Sequence, residues 1–186
     1  MKVLTIDVGG THVKILAPGQ KTPQKFVSGP KMTAKQMVSG AKKLAGACNY
    51  DAVSIGYPGL VLHGRILHEP HNLARGWVNF DFEQAFGCPV HIMNDAAMQA
   101  LGSYKGGSML FLGLGTGLGS AMIVDGRLEP MGLGHLPYRK ATYEDYIGVR
   151  GLQRLGKKKW RKYVADVVKR LAAALEPDNF VLGGAM

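Results

Sequence analysis

Three short stretches of this chain combine residue types that handle phosphate. Asp7-Val8-Gly9-Gly10-Thr11-His12-Val13-Lys14 and Gly113-Leu114-Gly115-Thr116-Gly117-Leu118-Gly119 each sit between two apolar runs. Asn94-Asp95 closes a third apolar run between them. A glycine tip has no Cβ and tolerates positive φ, so its backbone N–H groups approach an anion closely. Two anion cradles with a carboxylate between them point to phosphoryl transfer. Neither cradle is a Walker P-loop, which needs Gly-Lys-Ser/Thr leading straight into a helix.

The surrounding pattern supplies elements to hold these stretches. Residues 3–8 and 12–17 read as strands paired around the first tip, with a further strand over 25–27. Thr33 is placed to cap a helix ending at Ala45, since Met37, Val38, Ala41, Leu44 and Ala45 share one face and Gly46 stops it. Residues 52–56 form a buried strand ending in the turn Tyr57-Pro58-Gly59, and 63–79 read as loop. A short helix is expected over 81–86, a strand over 90–93 and a helix from Asp95 to about 103. The opening is then repeated: strand 108–113, glycine turn, strand 119–124, and a tight turn at Asp125-Gly126. A long helix within 151–175 has an apolar stripe of Trp160, Val164, Val167, Val168, Leu171 and Leu175. A last strand covers 180–182. The repetition predicts two related α/β lobes with a cleft between them, residues 1–100 and 101–186.

Composition narrows the class. The chain has 186 residues, 46% hydrophobic and 19% charged, an ordinary globular balance. No run approaches the roughly twenty apolar residues of a membrane span, so no membrane partner is expected. A strand at the very N-terminus leaves no room for a signal peptide. Two cysteines, Cys48 and Cys88, fit neither a disulfide framework nor metal-ligand spacing, which suits a reducing, cytoplasmic setting. The net charge of +10 is concentrated: residues 139–170 hold eleven Lys/Arg against three Asp/Glu. That run reads equally as a solvated helix face or as a track for a polyanion. His63, His68, His71 and His91 have no spacing that forces a metal site.

Taken in order, Asp-x-Gly-Gly-Thr-x-x-Lys, Asn-Asp after a strand and Gly-x-Gly-Thr-Gly-x-Gly resemble the ROK (repressor, open reading frame, kinase) sugar kinases. That family belongs to the actin-like ATPase/hexokinase fold, built from two ribonuclease H-like α/β lobes with a central cleft. Gly134-His135-Leu136-Pro137-Tyr138-Arg139, Tyr143-Glu144-Asp145-Tyr146 and Lys157-Lys158-Lys159-Trp160-Arg161-Lys162 resemble its polyphosphate-dependent glucokinase branch.

The resemblance implies a role for each residue. Asp95 is the general base for a sugar hydroxyl, a task a carboxylate within hydrogen-bond reach performs well; an Asp here also suits capping the helix it opens. Asn94, Gly59, Asn72, His135 and Glu144 contact the sugar, Glu144 at its anomeric end. Gly9, Gly10 and Thr11 cradle donor phosphate, as do Gly115, Thr116, Gly117 and Gly119. Asp7 holds Mg²⁺, through water. Lys14 either adds a donor toward phosphate or faces solvent. Lys157, Lys158 and Lys159 line the polyanion track. The implied reaction moves phosphoryl from polyphosphate or ATP to the 6-hydroxyl of glucose in a homodimer, without zinc.

Two departures temper this. Three residues before His135 the family carries a sugar-binding Glu, and here stands Gly132. Relatives also continue past the last strand with a nucleoside-contacting glycine segment and a docking helix, so a C-terminally shortened form, or one completed by a partner subunit, is expected. A sugar- or phosphate-binding protein with negligible turnover is the alternative. No helix-turn-helix extension like that of the family's repressors is present, and nucleic acid is not the expected partner.

Overall fold

In the computed structural model, which describes residues 1–184, the chain divides after Met98 into two units. The first is built from β1 (Val3–Val8), β2 (His12–Leu16), β3 (Gln24–Val27), α1 (Ala34–Ala45), β4 (Ala52–Tyr57), β5 (Val61–Leu62), β6 (Arg65–Ile66), α2 (Phe82–Phe86) and β7 (Val90–Asn94). The helix α3 (Asp95–Ser103) starts in this unit. Its main sheet has the order β3-β2-β1-β4-β7. Strand β2 runs antiparallel to β1 and β3, while β4 is parallel to β1 and β7 is parallel to β4.

Alternation in β1 dictates its two faces. Leu4, Ile6 and Val8 are fully buried and pack with Met37, Ala41 and Phe86 from the helices, so Thr5 and Asp7 point to the opposite face. Helix α1 starts where the sequence places it. Thr33 and Gln36 form a reciprocal capping box, and Gly46 ends the helix at φ +58, a conformation that costs glycine little. The 63–79 stretch departs from the expected loop. Strands β5 and β6 pair through His63 and Gly64, both at positive φ (49° and 73°), the geometry of a tight two-residue hairpin turn. Non-glycine residues seldom take positive φ, though His is among the more tolerant, and the turn lacks the Asn-Gly or Asp-Gly pair that marks such hairpins in a sequence.

The second unit contains β8 (Ser108–Leu114), β9 (Leu118–Val124), β10 (Arg127–Met131), a 3₁₀ turn at Leu133–His135, β11 (Pro137–Tyr138), β12 (Ala141–Thr142), α4 (Tyr143–Ile147), α5 (Val149–Leu175) and β13 (Asn179–Gly183). Its sheet order is β10-β9-β8-β13, with β9 antiparallel to β8 and β10, and β13 parallel to β8. Strand for strand this repeats β3-β2-β1-β4 of the first unit. Strand β7 has no counterpart among the described residues of the second sheet.

Helix α4 is absent from the sequence-based expectation, although at five residues it is as long as α2, which is expected. It is held by a capping box between Thr142 and Asp145 and by the Trp160 indole N–H, which donates to the Ile147 carbonyl at 2.8 Å. Helix α5 is longer than predicted and kinks at Gly156, where φ is 71° and ψ 155°. Three lysines therefore occupy the first turn of its longer half. The apolar stripe holds: Trp160, Val164, Val167 and Leu171 are buried. No helix among the described residues is long and apolar enough to cross a membrane.

Candidate active site

Parallel strands β1, β4 and β7 all end at one edge of the first sheet, where the chain turns at Gly9, Pro58 and Asp95. Open α/β sheets present their binding residues at the carboxyl ends of such strands. Asp95 is partly buried as the first residue of α3. Asn94 Oδ1 accepts the N–H groups of Ala96 at 2.9 Å and Ala97 at 3.4 Å, and Asp95 Oδ1 accepts Ala96 N–H at 2.8 Å. Capping is thus shared, and Asn94 satisfies helix donors that Asp95 alone would otherwise serve. Burial raises the Asp95 pKa, and the charge of Asp7 raises it further. The Ala96 N–H, the Asp95 N–H and the Asn94 side chain act in the opposite direction without cancelling the rise.

Asn94 also donates from Nδ2 to the Gly59 carbonyl at 3.1 Å, leaving one amide hydrogen for a hydroxyl. At Gly59 a Cβ would stand 2.7 Å from the Tyr57 ring. The bare position accommodates that ring, whose hydroxyl donates to the His68 carbonyl at 2.8 Å. Asn72 lies against the first glycine tip: a Cβ on Gly10 would be 3.1 Å from the Asn72 Cβ. The loop carrying Asn72 is shaped by Glu69, which accepts the N–H groups of Trp77 at 3.1 Å and Val78 at 3.4 Å. Burial pushes the Glu69 pKa up, but those N–H groups, that of Gly76 and the charge of Arg75 outweigh it and leave the carboxyl lowered. Glu69 carries no motif, so sequence reasoning passes over it.

The first tip itself has an accessible backbone. The Gly9 N–H donates to the His12 carbonyl at 3.0 Å, whereas the N–H groups of Gly10 and Thr11 have no backbone acceptor among the described residues. Asp7 and Lys14 are direct partners in the β1–β2 register and approach to 3.4 Å. Lys14 therefore faces Asp7, with its side chain about half exposed. One loosely held carboxylate beside free N–H groups fits a divalent cation bound mainly by phosphate oxygens and water. No group of three His, Cys, Asp or Glu side chains gathers for a protein-built metal cage among the described residues.

In the second unit the residues brought together are the second glycine tip, Glu144 and the His135 turn. A Cβ at Gly117 would lie 2.7 Å from Glu144 Oε2, and one at Gly134 would lie 3.5 Å from it. Arg150, which no motif marks, holds Glu144 at 3.6 Å. This tip is tied down from within. The Gly115 N–H donates to the Gly113 and Gly117 carbonyls at 3.1 and 3.2 Å, and its carbonyl accepts Val149 N–H at 2.8 Å. Thr116 sits at the turn, and Gly119 pairs with Gly113 in the ladder. His135 is exposed. Beside it a Cβ on Gly132 would find only His135 Cδ2, at 4.0 Å, and Gly132 has an ordinary φ of −99°. Lys157, Lys158 and Lys159 project exposed from α5 and stand apart from the glycine tip in the chain's hydrogen bonding.

The ROK family model matches residues 3–136. The chain is 28% identical over 200 residues to a polyphosphate glucokinase of Mycobacterium tuberculosis, covering 98% of this chain and 71% of that protein. It is 27% identical over 153 residues to an N-acetylmannosamine kinase of Citrobacter koseri, covering 69% and 49% respectively. Among solved structures, the inorganic polyphosphate/ATP-glucomannokinase of Arthrobacter sp. strain KM superposes with a TM-score of 0.78 at 25% identity, over 99% of this chain and 83% of that one. A ROK hexokinase from Thermus thermophilus, at 23% identity and a TM-score of 0.74, shares the fold over 100% of this chain and 82% of its own. With its family model spanning both the first tip and the second, and with the hexokinase-like two-sheet α/β architecture, the chain belongs to the ROK family.

Proposed function

We propose that this chain is a sugar kinase that transfers a phosphoryl group from polyphosphate or ATP to the 6-hydroxyl of glucose. The observation that carries the reading is the state of Asp95. It sits at the carboxyl end of a parallel strand, and burial and a neighbouring carboxylate raise its basicity. A base with a raised pKa is better matched to a sugar hydroxyl than an ordinary surface aspartate. As the hydroxyl oxygen bonds to the terminal phosphorus, its proton passes to the Asp95 carboxylate, and the donor's bridging oxygen leaves with the bonding pair.

The remaining residues position and neutralise, which is most of what phosphoryl transfer asks of a protein. The N–H groups of Gly10 and Thr11 receive donor phosphate oxygens. Asp7 would hold Mg²⁺, which when bound supplies charge neutralisation on the phosphates. Asn72 and Asn94 would contact the sugar, as would His135 and Glu144. The exposed Lys157, Lys158 and Lys159, with Arg161 and Lys162, offer a polyanion a run of cations with no acidic partner in the ion pairs of the described residues. That favours a long phosphate donor. Relatives named for polyphosphate and glucose support the same donor and acceptor.

The test is glucose 6-phosphate formation by wild type and Asp95→Asn, with ATP and with polyphosphate, over a panel of hexoses. Turnover lost in the variant while glucose still binds supports the reading. A second reading, a sugar- or phosphate-binding protein without turnover, draws on the bare Gly132 beside His135; equal background product from both proteins would favour it.

A further inference from the structure

Five of the six residues between β3 and α1, Ser28–Met32, bond to two loops that are far apart in sequence. Ser28 Oγ donates to the Gly9 carbonyl at 2.6 Å, and Ser28 N–H donates to the Thr11 carbonyl at 3.0 Å. One residue therefore grips the first glycine tip on both sides of Gly10. It holds the tip by its carbonyls, so the N–H groups of Gly10 and Thr11 stay available. At the other end of the segment, the Met32 carbonyl accepts Ala74 N–H at 3.0 Å, two residues beyond Asn72.

The connection between those ends is stiff. Gly29 takes φ +130°, and the Met32 N–H closes the turn onto the Gly29 carbonyl at 2.9 Å. Pro30 has its own φ fixed by its ring. The Thr33–Gln36 capping box then anchors the segment to α1. Its outer side is not packed: Ser28, Gly29, Pro30, Lys31, Met32 and Gln36 line an open hollow of about 490 Å³. Hydrogen bonds hold this strap together with Met32, which packs against the first unit's core, and the Ser28 hydroxyl supplies the shortest of those bonds. The two loops it joins also touch directly, at Gly10 and Asn72.

The geometry points to Ser28 as a positioning residue: it fixes the first tip in its anion-receiving shape and, through the 28–32 strap, couples that tip to the Asn72 loop. Binding of donor phosphate at the tip then orders the sugar loop, and the reverse holds by linkage. The inference rests on the kinase reading for its chemical meaning, but the coupling itself is a property of the first unit.

Peptide-resolved hydrogen exchange on the intact chain separates the two. Wild type, Ser28→Ala and Ser28→Thr are compared with and without tripolyphosphate, beside the glucose 6-phosphate assay. Ser28→Ala is expected to speed exchange at residues 9–12 and also at 72–76, to lose protection by tripolyphosphate at both, and to raise the donor KM roughly three- to tenfold, the loss of one hydrogen bond. Ser28→Thr, which keeps the hydroxyl, restores wild-type behaviour. Faster exchange confined to residues 27–29, or an unchanged 72–76 segment in Ser28→Ala, overturns the coupling. A wild type without turnover that still shows the coupled exchange overturns the kinase reading and leaves the strap standing.

Discussion

The two glycine tips occupy equivalent places in duplicated sheets, yet they are built for different work. In the first, the ladder position just before the last pair is Asp7 opposite Lys14; in the second, the same position is Gly113 opposite Gly119. Each is flanked by a glycine on the parallel neighbour, Gly56 or Gly183. The first tip keeps N–H groups free and carries charge at its base. The second has lost the charge pair, spends the Gly115 N–H internally and is fastened to the start of α5. Among the described residues only the first sheet continues to a further parallel strand, β7, and that strand leads into Asn94 and Asp95. In the proposed reading both hairpins present backbone to an anion and the chemistry falls to the first, while Glu144, His135 and the basic helix of the second unit serve recognition.

That contrast predicts an asymmetry of effects. Asp95→Asn, in the first unit, should lower kcat by about 10²–10⁴, the usual worth of a general base. The same change should not destabilise the fold. A carboxyl whose folded pKa is raised binds more protons folded than unfolded, so its contribution to stability falls as pH rises from its unfolded value through its folded one. Thermal melts at pH 7 should therefore find Asp95→Asn as stable as wild type or more so.

Next in size is a gain of function in the second unit. Gly132→Glu adds an acceptor into open space at an ordinary φ, and should lower the glucose KM about tenfold or more if the new carboxylate reaches the sugar, as hydrogen bonds to charged groups allow. An unchanged KM would mean that the sugar does not lie beside His135.

Alanine at the two tips sharpens the contrast further. Gly10→Ala presses on Asn72, and Gly117→Ala displaces the Glu144 carboxylate. The first should raise donor and sugar KM together, whereas the second should raise the sugar KM alone. Equal patterns would erase the distinction between the tips.

The smallest effect is expected on α5. Lysines in a helix's first turn oppose its dipole, so replacing Lys157, Lys158 and Lys159 with Gln should stabilise the helix by about 0.3–1 kcal/mol per charge. It should also weaken polyphosphate use several-fold at low salt and leave ATP use unchanged. Polyphosphate kinetics insensitive to both salt and these substitutions would remove the track.

Much of the fold was legible because its signals are local. The capping residue Thr33, the glycine stop at 46, the alternation in Val3–Val8 and the stripe on α5 each act over a few residues. The β5–β6 hairpin and α4 were not: the hairpin turn carries His63-Gly64 in place of Asn-Gly or Asp-Gly, and sequence reasoning passes over the Thr142–Asp145 capping box that opens α4. At the site, Asp7, Asn94 and Asp95 stood out by motif. The partners that set their behaviour did not: Ser28, Glu69 and Arg150 act through backbone carbonyls, backbone N–H groups or a single ion pair contributed from elsewhere in the chain. Gly59 is expected to contact the sugar; the group a side chain there would meet is the Tyr57 ring.

The most direct test is the pH dependence of kcat/KM for glucose, measured for wild type and Asp7→Asn. The account predicts an acidic limb lying above the ordinary aspartate range in wild type, because Asp95 must be ionised to accept the proton. Removing the Asp7 charge should move that limb to lower pH. A profile with no acidic limb, or one that Asp7→Asn leaves in place, would contradict Asp95 as the base.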